Sequence, residues 1–195
     1  KQAVGMAAKN GVVRNRSNTA GHFFALLGQP FAAVASLVDA EHFCQVVESQ
    51  GRPGFKFDNQ DAPLTPEELT TLVVRGLRET AATKTDATGC VVAVPPTFTA
   101  DQRAALCDAV AKAGLHCQQC IPEPAAAVLA YGLGPEPATI LVYDLGGTEL
   151  TLSVVTVRGG MLQILATTRV PGIGGTAFDN ALLSFLAQEF QKLVD

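Results

Sequence analysis

The spacing of apolar residues predicts most of the elements of this chain. Across residues 90–134, short β-branched runs alternate with alanine-rich helical segments, in the order strand, helix, strand, helix. Three consecutive strands are predicted next, over residues 139–145, 149–157 and 161–170. An amphipathic helix over residues 176–194 closes the pattern. This order of strands and helices is typical of an α/β protein, and its last part is a β-meander followed by a helix.

Two capping boxes mark where the earlier helices begin. Thr65 precedes Pro66 and has Glu68 three residues on, while Thr99 has Gln102 at the same spacing. In the second helix we expect Leu106, Ala109, Val110 and Ala113 to point inward. Apolar residues also recur on one face of the first helix, at Leu69, Leu72, Val73 and Leu77, and build the amphipathic last helix, at Phe178, Leu182, Phe185, Leu186 and Phe190.

The first 65 residues carry weaker signals. Residues 1–30 are rich in Asn, Arg and Gly, which predicts loops with short helical pieces. The polar, turn-forming stretch around residues 48–65 predicts a hairpin with loose connections.

Composition and charge exclude several classes of protein. The chain has 195 residues, of which 48% are hydrophobic and 16% charged, and its net charge is −4 without a cluster of Lys and Arg. We therefore expect no direct nucleic-acid binding. No apolar run approaches the roughly 20 residues that span a bilayer, so we expect no membrane partner. The N-terminus has the pattern of neither a signal nor a transit peptide, and we expect a cytosolic protein of which this is a piece.

The five cysteines are an odd number, and most lie in apolar stretches. This favours free, buried thiols in a reducing compartment. The stretch HCQQC places His116, Cys117 and Cys120 close together, which raises the alternative of a metal site. Strand alternation predicts Cys117 and Cys120 on opposite faces, so we expect small core residues instead.

In the stretch TILVYDLGGTELTLSVV, residues 139–155, an apolar strand ends in an Asp beside two turn glycines, at the tip of a hairpin. The turn residues Gly146 and Gly147 would let backbone N–H groups approach an anion closely. Asp144, at the end of the strand, could hold a hydrated Mg²⁺ beside that anion. A plain tight turn is the alternative explanation of the same residues.

Two further segments supply candidate ligands. Glu123 lies between two prolines just before a helix, which holds its carboxylate on a stiff loop, although an acid at this place also stabilises a helix without any other role. Gly174 and Gly175 precede the last helix, as in a phosphate cradle at a helix start or in a plain loop.

Five motifs together resemble the nucleotide-binding domain of the heat shock protein 70 family. They occur in the order and spacing of that family and cover nearly the whole chain: AAKNGVVRNRSNT, VVAVPPTFTADQR, IPEPAAAVLAYGLG, VYDLGGTELTLSVV and IGGTAFDNALLSFLAQEF. The resemblance implies an α/β, actin-like ATPase (ribonuclease-H-like) fold. It also implies an incomplete two-lobe domain, with residues 1–136 forming most of lobe I and residues 137–195 opening lobe II.

The resemblance also implies roles for individual residues and the cofactors ATP or ADP with Mg²⁺. Lys9 matches the family's catalytic lysine, Asp144 matches its metal-binding Asp, and Glu123 matches the Glu that holds the metal through water. The other matched positions are Gly146, Gly147 and Thr148 in the phosphate loop, Gly174 and Gly175 in a third loop, and Pro95 and Arg103 in an allosteric relay.

Several positions depart from the family pattern. Thr148 replaces a glycine and Thr151 replaces an Asp, so one carboxylate near the metal is lost. Glu149 replaces a Thr and places a negative charge near the expected phosphate, which is unfavourable. Gln119 stands where the family has an Arg that engages J-domain partners. We therefore expect weak ATP turnover at most.

These departures resemble an atypical branch of the family, the Hsp70-like subunit of the ribosome-associated complex. In that branch the protein pairs with a zuotin-type J-domain cochaperone and assists nascent or unfolded chains, so contact with the ribosome would be indirect. One alternative is a non-catalytic scaffold for the J-protein. A more distant one is a sugar or acetate kinase of the same superfamily.

Overall fold

The computed structural model describes residues 2–38 and 42–194, which form two compact units, residues 1–120 and residues 121–195. Its α-helices are α1 Met6–Gly11, α2 Phe31–Val34, α3 Pro66–Ala82, α4 Ala100–Lys112, α5 Glu123–Ala130 and α6 Gly175–Val194. Its strands are β1 Gln45–Ser49, β2 Arg52–Lys56, β3 Gly89–Val94, β4 His116–Pro122, β5 Ala138–Leu145, β6 Glu149–Arg158 and β7 Met161–Pro171. The predicted alternation of elements is therefore confirmed.

The first unit contains two apolar clusters. One surrounds Phe55 of the antiparallel β1–β2 hairpin and includes Leu26 and Leu69, which brings α3 onto the hairpin. The other joins Val94 of β3 to Leu106 and Val110 of α4. The pairing of β3 with β4 completes the small sheet that α4 covers.

The predicted helix starts of the first unit are confirmed. Both capping boxes are formed, Thr65 with Glu68 and Thr99 with Gln102. The four residues predicted on the inner face of α4 are all buried. On the apolar face of α3, Leu69 is buried, whereas Leu77 is 63% exposed in the C-terminal half of the helix, beyond the part that packs on the core.

The second unit is built on an antiparallel sheet of order β5–β6–β7. Val155 and Val157 of β6 are fully buried and pack with Val128 of α5. Gly159 and Gly160 form the turn between β6 and β7 with positive φ angles of 56° and 76°, the mirror-image turn that suits the twist of a hairpin.

The last helix, α6, begins within a residue of its predicted start, and its apolar face is exposed. The five apolar residues of the amphipathic pattern, Phe178, Leu182, Phe185, Leu186 and Phe190, are 54% to 66% exposed. Periodicity identifies an apolar face, but it does not show which part of the fold covers that face. Across residues 2–38 and 42–194, nothing buries this one.

The prediction that Cys117 and Cys120 lie on opposite faces of β4 is also wrong. Their Sγ atoms are 3.9 Å apart, and both lie near Cys107 of α4. Gln118 and Gln119 between them are both exposed, so β4 does not keep strict alternation here. Burial, followed by the neighbouring thiols, raises the pKa of Cys117 to about 12. All five cysteines are free, as expected, although only Cys44 is fully buried.

Among residues 2–38 and 42–194, no helix is both long and apolar enough to cross a membrane.

Candidate functional site

The turn between β5 and β6 presents the predicted carboxylate and glycines at one exposed tip. Asp144 lies on β5 directly opposite Thr151 of β6. The turn closes where the Gly146 N–H donates to the carbonyl oxygen of Glu149 at 2.9 Å. The hairpin is in register up to Leu145, so Asp144 is held by a regular ladder of backbone hydrogen bonds.

Two backbone N–H groups at this tip have no acceptor among the described residues. They belong to Gly147 and Thr148, both of which are exposed. A Cβ atom built on Gly147 would meet nothing within 4 Å, so the space beside it is open. Successive free N–H groups in a turn are suited to binding an anion such as a phosphate.

The start of α6 supports this tip from behind. The N–H groups of Gly175 and Thr176 donate to the carbonyl oxygens of Gly146 and Gly147 at 3.0 and 2.8 Å. A Cβ atom on the buried Gly174 would lie 2.6 Å from the Gly147 oxygen, so only glycine fits. Gly175 thus holds the hairpin through its N–H group, and Gly174 does so by permitting the close approach of the two backbones, roles that the motifs did not indicate.

Glu123, at the first position of α5, belongs to the same unit as the hairpin. Burial is the main cause that raises the pKa of its carboxyl group, and the negative charges of Asp144 and Glu149 raise it further. The positive charge of Arg169 acts in the opposite direction. Crowded carboxylates of this kind are stabilised by a bound cation, so Glu123 and Asp144 fit a divalent metal.

An ion pair beside the hairpin was missed in the sequence analysis. Arg169 of β7 donates through Nε to Glu149 Oε1 at 3.0 Å and through a second nitrogen to Oε2. The two residues lie 20 positions apart in sequence, and the register of β6 on β7 brings them together. The expected charge of Glu149 is therefore largely compensated by a bidentate guanidinium.

A cavity of about 490 Å³ opens beside these carboxylates within the second unit. Glu123 and Asp144 contribute its polar wall together with Thr151, and Val128, Val142 and Tyr143 contribute apolar and aromatic surface. Concave sites with a few convergent polar groups on apolar walls are typical of ligand sites.

The other predicted residues lie in the first unit. Lys9, on α1, is exposed and lines a cavity of about 680 Å³ there. Pro95 and Arg103 both form hydrogen bonds with the backbone of Phe98. The Phe98 N–H donates to the Pro95 carbonyl oxygen at 3.0 Å, and Arg103 Nε donates to the Phe98 carbonyl oxygen at 3.3 Å. Phe98, which the motif analysis did not single out, thus joins the two predicted relay residues.

Comparison with known proteins decides the family. The model of the Hsp70 protein family matches residues 1–195, the whole chain. The chain belongs to the Hsp70 family. Its α/β, actin-like ATPase fold and its nature as a piece of the nucleotide-binding domain are thereby confirmed. The predicted lobe boundary after residue 136 stays a prediction. The division of the chain into two compact units falls between Cys120 and Ile121.

Several Hsp70 relatives align over nearly the whole chain. Heat shock 70 kDa protein 14-B of Xenopus laevis is 38% identical, with 97% of this chain and 39% of that protein covered. Heat shock 70 kDa protein 14 of Rattus norvegicus is 37% identical, with 99% and 40% covered. The protein of the same name from Homo sapiens is also 37% identical, with 98% and 40% covered. The chain spans about two-fifths of the length of these curated relatives.

Hsp70 nucleotide-binding domains bind ATP or ADP with Mg²⁺, and the residues of the second unit fit such ligands. The free N–H groups of Gly147 and Thr148 are phosphate donors in suitable positions. Asp144 and Glu123 supply carboxylates whose mutual repulsion a cation would relieve. The individual site residues stay predictions that binding measurements test.

Proposed function

We propose that this chain is the ATP-binding part of an Hsp70-type chaperone or cochaperone that works in the cytosol and turns ATP over slowly. The observation that carries the proposal is the tip of the β5–β6 hairpin, where two free N–H groups lie beside Asp144 in a unit that also contains Glu123. A chaperone of this kind uses nucleotide binding to control its grip on polypeptide.

In this proposal each residue has a defined part. The N–H groups of Gly147 and Thr148 hold phosphate oxygens, and Gly146, Gly174 and Gly175 keep the tip in place. When bound, Mg²⁺ neutralises charge on the phosphates. Asp144 and, through water, Glu123 would hold that ion. Lys9 would keep the role that the family resemblance implies, contact with the terminal phosphate and the attacking water.

Slow turnover follows from two features of the hairpin. Thr151, directly opposite Asp144, supplies no second carboxylate to position the metal. Glu149 and Arg169 form an ion pair beside the tip, so the guanidinium binds a carboxylate of the protein itself. Positioning and electrostatic stabilisation carry most of the catalysis of phosphoryl transfer, so both features lower the rate.

The alternative is a non-catalytic scaffold that keeps the Hsp70 fold for docking a J-domain protein. The residues that favour it are Glu149, Thr151 and Gln119, at positions where Hsp70 proteins have other residues. Both functions share the fold and differ in whether nucleotide binds.

Calorimetry of the complete protein with MgATP and MgADP separates these functions. We expect binding that Asp144→Asn weakens by at least about tenfold, because the metal loses a charged ligand. Asp86→Asn, a matched change of an exposed acid in the first unit, should leave the affinity unchanged. A folded protein that binds neither nucleotide would contradict the proposal and favour the scaffold.

A further inference from the structure

Three cysteine thiols converge in the first unit, and none of these cysteines is among the residues assigned to nucleotide. Cys107 lies on α4, and Cys117 and Cys120 lie on β4, the strand that α4 covers. Their Sγ atoms are 3.0 Å apart for Cys107 and Cys117, 3.7 Å for Cys107 and Cys120, and 3.9 Å for Cys117 and Cys120. A triangle of thiols of this size is suited to chelation as well as to packing.

The size of the triangle matches a metal–thiolate unit. Tetrahedral zinc has Zn–S bonds of about 2.3 Å, which place neighbouring sulfur atoms roughly 3.8 Å apart. Two of the three edges already have that length, and the third, between Cys107 and Cys117, has to open by less than about 1 Å. Small rotations of the two side chains would supply this.

We propose that Cys107, Cys117 and Cys120 form a binding site for a thiophilic metal ion, with Zn²⁺ as the first candidate. The three thiols lose their protons to solvent when the ion binds, and no electron is transferred. All three cysteines are partly exposed, and in this proposal water supplies the fourth ligand. The proposal concerns residues of the first unit alone and does not rest on the nucleotide site.

The surroundings of the cluster supply charge balance and support. The positive charge of Arg103 acts on Cys120, and together with a divalent ion it would offset the charge of three thiolates. Cys117 and Cys120 pack against the cluster of Leu106 and Val110, which fixes the strand relative to the helix. The preference of sulfur ligands for Zn²⁺ and Cu⁺ over Mg²⁺ sets the chemical class of the ion.

A disulfide between Cys107 and Cys117 is the competing use of the same thiols. It would require an oxidant, would need the sulfur atoms to approach by about 1 Å, and would leave Cys120 unused. The convergence of a third sulfur within 4 Å of both favours the metal.

The test titrates the complete, reduced and metal-free protein with Zn²⁺ in competition with a chromophoric chelator. We expect one site whose affinity falls by at least about tenfold in each of Cys107→Ser, Cys117→Ser and Cys120→Ser. Cys44→Ser, in the other apolar cluster, is the matched control and should retain the full affinity. Equal Zn²⁺ affinity in all four variants would overturn the proposal.

A second measurement needs no substitution and so does not depend on the variants folding. Zn²⁺ is expected to slow alkylation of all three cysteines in the unsubstituted protein, read by peptide mass spectrometry, whereas Mg²⁺ is not. Unchanged alkylation with Zn²⁺, or a Cys107–Cys117 disulfide that persists under the same reductant, would contradict the metal site.

Discussion

At the scale of single residues, the charge beside the hairpin depends on the contact between Arg169 and Glu149. The guanidinium donates to both carboxylate oxygens, and the two side chains are 43% and 28% exposed. Partly exposed pairs contribute only about 0–1 kcal/mol to stability. The pair therefore acts mainly on the local charge. The positive charge of Arg169 also opposes the rise in the pKa of Glu123 that burial and the nearby carboxylates cause.

The compensation of the Glu149 charge by Arg169 can be tested by removing the Arg169 charge alone and then together with the Glu149 charge. Arg169→Gln leaves the Glu149 charge beside the phosphate position, and we expect MgATP affinity to fall about three- to tenfold, as for an uncompensated charge near the surface. Glu149→Gln with Arg169→Gln should restore most of it, as measured by calorimetry on the complete protein. Equal losses in the single and double variants would show that Arg169 acts on the nucleotide directly.

At the scale of elements, the start of α6 and the β5–β6 turn form one packed unit. Two hydrogen bonds join them, from Gly175 to Gly146 and from Thr176 to Gly147. Gly174 lets the two backbones approach to a distance that no side chain allows. The turn that carries Asp144 thus gains its rigidity from a helix whose first residue lies 31 positions further along the chain.

Substitution of Gly174 tests this support. Gly174→Ala introduces a Cβ atom 2.6 Å from the Gly147 oxygen, so we expect a loss of about 1–3 kcal/mol in stability together with weaker MgATP binding. Gly134→Ala is the control in the same unit, because its Cβ would meet only Leu129 at an ordinary 3.6 Å. The two variants are compared by thermal unfolding, and equal melting temperatures would mean that α6 does not support the turn.

At the scale of the whole molecule, the chain is about two-fifths the length of its Hsp70 relatives. Among the residues with predicted roles, Lys9 belongs to the first compact unit and Asp144 to the second. The apolar face of α6 is exposed over Phe178, Leu182 and Phe185. Tests of partners and substrates therefore use the complete protein.

The proposed partnership with a J-protein is tested on that complete protein. We expect it to co-sediment with translating ribosomes when a zuotin-type J-protein is present and to remain in the supernatant without it, since the proposed contact is indirect. Ribosomes without the J-protein serve as the control. Sedimentation that does not depend on the J-protein would contradict the indirect contact, and none at all would contradict the ribosome-associated role.

The sequence by itself determined the features that depend on near neighbours. Capping boxes such as Thr99 with Gln102 connect residues three apart, and apolar periodicity identified the three strands from residue 138 to residue 171. Five motifs in one order and spacing, two of them around Asp144 and Glu123, pointed to the Hsp70 family. Each of these signals is contained in a few consecutive residues, so no knowledge of the fold was needed to find it.

Tertiary structure alone decided which distant residues meet. The pairing of Glu149 with Arg169 depends on strand register, and the thiol cluster depends on how α4 covers β4. The contact of Gly174 with Gly147 depends on where α6 returns to the sheet. Local periodicity predicts that a face is apolar or that a turn is tight, but it does not specify the partner, because the partner is chosen by packing over the whole unit.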